Sequence, residues 1–150
     1  MAMMKVKKDD GMSLVGKIIT IIFIILLAAA IYYFVTLFKG VEITPVNLAG
    51  EWKQAGNPTW FISFTADGNP EEGYDGTAHS YYQSATGEIT QDKNYTYYLL
   101  ENENGVMVLH LIEKSTKKEE EIKITKLSRA EISVIRNGSK FETITKCNIF

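Results

Sequence analysis

The 150-residue chain predicts an all-β protein: a seven- or eight-stranded antiparallel meander or barrel, preceded by one transmembrane α-helix. Three observations lead there. An uncharged apolar run fills residues 18–38, hydrophobicity beyond residue 47 alternates with a period of two, and turn-forming residues punctuate that alternation at short intervals.

The apolar run, IITIIFIILLAAAIYYFVTLF, spans 21 residues from Ile18 to Phe38. At ~1.5 Å per residue it reaches ~31 Å, the thickness of a bilayer core. Fourteen of its residues are Ile, Leu, Val or Phe, worth about 4–8 kcal/mol of insertion free energy. Ala28-Ala29-Ala30 resembles a signal-peptidase site, but the run stays apolar for eight more residues. A cleaved signal would turn polar there, so the run is expected to be an uncleaved anchor. Lys5, Lys7, Lys8 and Lys17 precede it, and Lys39 stands alone just after it. The positive-inside rule then puts residues 1–17 in the cytoplasm and residues 41–150 outside, across the plasma (inner) membrane.

Residues 39–47 form a short tether, where Gly40 and Pro45 argue against a continuing helix. Residues 48–150 form the expected extracytoplasmic β domain. Residues 41–150 hold 11 basic and 16 acidic side chains, a balance that excludes nucleic acid and anionic lipid surfaces as natural partners. The single cysteine, Cys147, permits no internal disulfide, so the domain must be held by its core.

The expected strands follow in order. Trp60–Phe64 runs into the turn residues Ala66-Asp67-Gly68-Asn69-Pro70. The stretch from Gly68 to Lys93 reads as long loops around a strand near Thr77–Gln83 and a second, short one near Glu88–Thr90. Tyr95–Glu101 and Val106–Glu113 flank Asn102–Gly105 as a hairpin. Ile122 and Ile124 alternate with Lys123 and Thr125, and Ile132 and Val134 with Glu131 and Ser133. Asn137-Gly138 is the strongest hairpin signal in the chain, and Phe141–Lys146 follows it. Such a meander must close or sandwich to protect its edges.

The stretch LAGEWKQ, Leu48–Gln54, places an apolar residue, a Gly, one residue and a Trp at the head of the domain. With the Asp-Gly turn of ISFTADG and the closing alternation EIKITKLSRAEISVIRNGSKFETITK, it resembles the bacterial lipocalin-like (calycin-type) domains over residues 48–146. The resemblance implies that Trp52 plugs the closed end of a barrel under a basic residue of a late strand. Arg136, Lys140 and Lys146 are the candidates. Full lipocalins are longer and carry a C-terminal helix and a disulfide, and strands of six to eight residues favour an interior filled by side chains.

Little here suggests chemistry. His79 and His110 are the only histidines; neither stands in a nucleophile motif, and no Cys/His spacing suits zinc. The acidic run from Asp67 to Gly76 lacks the ligand order of a calcium loop. No enzymatic activity, cofactor or metal is therefore expected. The aromatics crowd the first two-thirds of the domain, and Val106–Ile112 is apolar on both faces. A contact face of Val106, Val108, His110 and Ile112, with Tyr95 and Tyr97, is the candidate site. Two functions are expected: contact with other membrane proteins as an accessory or assembly subunit, or binding of a small apolar molecule or lipid. A reporter fused after Phe150 tests the orientation; it should be active only outside the cytoplasm.

Overall fold

The computed structural model describes residues 13–136 and 140–147, except for the side chains of Lys140 and Phe141. Helix α1 runs over Leu14–Phe38, 25 residues, beginning four residues before the uncharged run. It is long and apolar enough to cross a membrane, and no residue of its apolar window is buried. The chain divides into two compact units, residues 1–36 and 37–150.

The second unit is a closed antiparallel barrel of eight strands in sequence order. These are β1 (Gly50–Gln54), β2 (Thr59–Thr65), β3 (Gly76–Gln83), β4 (Ile89–Glu101), β5 (Met107–Glu113), β6 (Glu119–Leu127), β7 (Glu131–Arg136) and β8 (Lys140–Lys146). Each pairs with the next, and β8 returns to β1. Full closure leaves no unpaired edge, which is how a small all-β domain avoids pairing with its neighbours. The expected turn at Asn137-Gly138 lies outside the described residues.

One local expectation changes, and the tether gains a detail. The short strand near Glu88–Thr90 and the strand Tyr95–Glu101 are one, the 13-residue β4. A register shift opposite Ser80 and Tyr82, with Gln91 at φ 52°, lets the strand absorb the polar residues that read as loop. In the tether, the long helix stops at Phe38 as Gly40 and Pro45 led one to expect, and Pro45 then starts a separate single helical turn, α2 (Pro45–Leu48). Proline suits the first helical position because its missing N–H would be unpaired there anyway. Thr44 caps the turn, its Oγ1 accepting from Asn47 N at 3.2 Å.

That turn seats the closed end. Leu48 and Trp52 are fully buried, and Trp52 Nε1 donates to Leu48 O at 2.8 Å. Lys146 Nζ lies 4.4 Å from the centroid of the Trp52 ring and donates to Ala49 O at 2.7 Å. Burial draws the Lys146 pKa below the ordinary lysine value. Gly50, at φ +124°, is required between them, because a Cβ there would collide with the Lys146 ammonium. Above this plug, alternate residues of every strand turn inward: Ile62, Phe64, Tyr97, Leu109, Ile122, Ile132 and Ile144 pack into one apolar core. Phe64 and Tyr97 meet edge to face at 5.4 Å. Burial, with Asp75 and then Asp67 nearby, pushes the Tyr97 phenol up to about 12.

Replacing Lys146 with Met keeps the stem and removes the charge. The lost cation–π contact and charge-assisted hydrogen bond should cost about 1–3 kcal/mol in urea unfolding of the full chain. Gly50→Ala should also destabilise, through both its positive φ and the displaced ammonium.

Candidate functional site

The barrel interior has two tiers. Towards the closed end it is aliphatic and aromatic; towards the mouth, the inward positions become Trp60, Ser80, Tyr82, Lys93, Glu120, Arg136 and Glu142. The change follows from the strand ends, since the last inward residue of β7 is Arg136 and the second inward position of β8 is Glu142. A recess of about 160 Å³ opens here among Trp60, Ser80, Tyr82, Gln91, Lys93, Glu120 and Arg136, above a floor that includes Tyr95 and Leu111.

Arg136 dominates it. Its Cζ lies 4.1 Å from the centroid of the Trp60 ring, so the indole covers one face of the guanidinium. Nη2 donates to Tyr82 Oη at a long 3.4 Å. Nε faces Glu142 Oε2 at 3.7 Å, close enough for Coulombic attraction and too far for a hydrogen bond. Among the described residues, Nε, Nη1 and Glu142 Oε2 are buried with no hydrogen-bond partner. Each unmade bond of this kind costs about 1–3 kcal/mol, and more when the group is charged. A purely structural arginine would be better satisfied, as Lys146 is at the opposite end.

The resemblance allowed Arg136, Lys140 or Lys146 over Trp52. Lys146 occupies that position; Arg136 lies over the other tryptophan, Trp60, and the side chain of Lys140 lies outside the described residues. Arg136 is therefore no part of the plug. The inward register of β7 places it at the end of the strand away from Trp52.

The candidate contact face also divides. Tyr95 and Tyr97 are buried in the core, on the opposite face of the wall from Val108, His110 and Ile112. Register explains it: Tyr97 pairs with Leu111, and Tyr98 with His110, so Tyr98 takes the outward place expected for its neighbours. Its ring stacks on His110 at 4.3 Å between centroids, and its hydroxyl donates to Glu119 Oε1 at 2.9 Å. His110 Nδ1 lies 2.8 Å from the same oxygen and 3.6 Å from Glu121. Leu100 stands exposed beside them, while Val108 is nearly covered, flanked in register by Leu100 and Lys123. Val106 precedes β5 and lines a separate groove with Val41 and Ile43.

Cross-strand register makes this cluster invisible to one-dimensional spacing, although His110 lies directly opposite Glu121. His110, Glu119 and Glu121 bring one ligand atom each within 4.8 Å of one another, a set able to hold a metal ion. Glu119 already pairs with His110 and Tyr98, while Glu121 stays 3.6 Å from the imidazole. His79 is likewise paired, at 2.7 Å from Asp92. In the acidic loop, Asp67 accepts from Thr65 and Thr77 and Asp75 from Leu99 N; both shape the turn. Cys147 is half-buried, and burial together with Glu51 raises its thiol pKa, which lowers its reactivity.

No protein-family model matches the chain, and no curated protein or solved structure is significantly similar to it.

The bond from Tyr98, followed by that from His110, holds the Glu119 carboxyl below its ordinary 4.5. This stabilisation is complete above 4.5 and is lost as pH falls through the depressed value. Tyr98→Phe should move the Glu119 midpoint back towards 4.5 in an NMR titration of the side-chain carboxyls, with the barrel intact.

Proposed function

We propose that this chain is a non-catalytic, single-pass membrane protein whose lipocalin-like barrel lies outside the cytoplasm and acts by protein contact, as an accessory or assembly subunit of a membrane complex. The observation that carries this reading is the outer face of β4 and β5. The stacked Tyr98 and His110, pinned by Glu119, form a rigid aromatic platform next to Leu100, whose exposure is 59%. Rigid aromatic area of this kind binds at low entropic cost. The lipocalin-like relation is supported by the Gly50–Trp52 opening, the Lys146 cation over the indole and the closed eight-strand order. The anchor is supported by the length and apolarity of α1, and the orientation by the lysines before it.

A small apolar guest inside the barrel fits less well. The recess is about 160 Å³, against roughly 300 Å³ at the small end of ordinary ligand sites, and charged groups line its walls.

The full-length protein, tagged and extracted in mild detergent, should co-purify with a reproducible set of membrane proteins identifiable by mass spectrometry. Leu100→Glu should remove that set without lowering the thermal midpoint of the barrel. Recovery of a lone monomer, or identical partners with the variant, would reject the contact face.

A further inference from the structure

We propose that the mouth recess is a binding site for a small organic monocarboxylate, with Arg136 and Lys93 as its anion-binding residues. The proposal is independent of protein contact at the outer face, because the recess opens at the barrel end and Tyr98 and His110 point outward from its wall.

The first support is the supply of donors. Arg136 lines the recess; among the described residues its Nε and Nη1 have no acceptor, and because both are covered, a ligand would reach them on a small shift of the side chain. Lys93 lines the same recess and makes no hydrogen bond or ion pair among the described residues. The hydroxyl of Tyr82 lies within reach of Arg136, and Ser80 is 5% exposed in the recess wall. Among the described residues, the donor-bearing side chains of Arg136, Lys93, Tyr82 and Ser80 thus gather around one small volume.

The second is geometry. Trp60 covers a face of the guanidinium, so a ligand must approach along the edge. A planar carboxylate matches that edge, with its oxygens in the guanidinium plane. The indole also shields the cation from water, which strengthens the pairing.

The third is charge and size. Among the described residues, Glu120 stands at the recess and Glu142 faces Arg136, so two carboxylates offset the two cations. A monoanion engages Arg136 and Lys93 with modest repulsion; a phosphate dianion meets both glutamates with doubled charge, and a simple ammonium meets the two cations. The recess is about 160 Å³, comparable to the ~150 Å³ cavity that takes a benzene-sized molecule. A carboxylate of a few carbons fits that volume.

The chain has two tryptophans, one at each end of the barrel, which gives the test an internal control. The full-length protein, labelled with ¹⁵N-tryptophan in detergent micelles, should show two indole signals, assigned with Trp60→Phe. Propionate should shift the Trp60 signal saturably, in roughly the millimolar range expected of a five-atom ligand, and leave Trp52 unmoved. Arg136→Gln should weaken the response about tenfold or more, as loss of a charged hydrogen bond requires. Lys93→Gln should weaken it less and serves as the deciding variant if Arg136→Gln does not fold. Inorganic phosphate and ethylammonium should both act more weakly than propionate. The proposal is overturned by an unresponsive Trp60, by phosphate or ethylammonium matching propionate, or by unchanged affinity in the variants that fold.

Discussion

The barrel depends on how β8 is fastened to β1. Among the described residues that seam has two register pairs, Trp52 with Lys146 and Lys53 with Thr145, whereas β1 and β2 share five. So short a ladder closes a barrel only with help from side chains. The Lys146 ammonium crosses the seam to Ala49 O and lies over Trp52, Trp52 reaches back to Leu48 O, and Cys147 N donates to Glu51 O at 2.9 Å. Gly50 leaves the space that this crossing needs. Without closure, β1 and β8 would become free edges and the core would open to water along a full strand.

The same pairing of cation and indole occurs twice, and the two differ in how fully the cation is satisfied. At the closed end the ammonium has a short carbonyl acceptor, and its burial is compensated. At the mouth the guanidinium has a long bond to Tyr82, an ion pair too wide to be a hydrogen bond, and orphaned donors. Proteins tolerate incomplete satisfaction of a buried charge where something else completes it. Arg136 borders a recess, and the proposed carboxylate would complete it.

The outer wall carries a different kind of interaction. Tyr98, His110 and Glu119 form a closed set in which each ring or carboxylate positions another, so the platform is ordered without a partner. The interior and exterior of the β4–β5 wall can therefore do separate work, because a strand sends successive side chains to opposite faces.

Much of the fold was legible in the chain because its causes are local. A run of apolar residues without charge specifies a long apolar helix, and alternation between Asp-Gly, Asn-Glu-Asn-Gly and Ser-Arg turns specifies strands and their order. The polar start of β4 read wrongly because the register shift near Ser80 overrode composition, while the turn that Thr44 caps after Pro45 lay below what composition resolves. In β4 both faces carry aromatics, so periodicity alone could not say whether Tyr97 or Tyr98 turns inward; pairing with Leu111 and His110 decides it. The tertiary structure alone decided which cation meets which tryptophan. Lys146 and Ala49 are 97 residues apart, and Arg136 and Tyr82 are 54 apart. No local pattern encodes contacts at such separations; they exist only once the barrel has closed and its register is set.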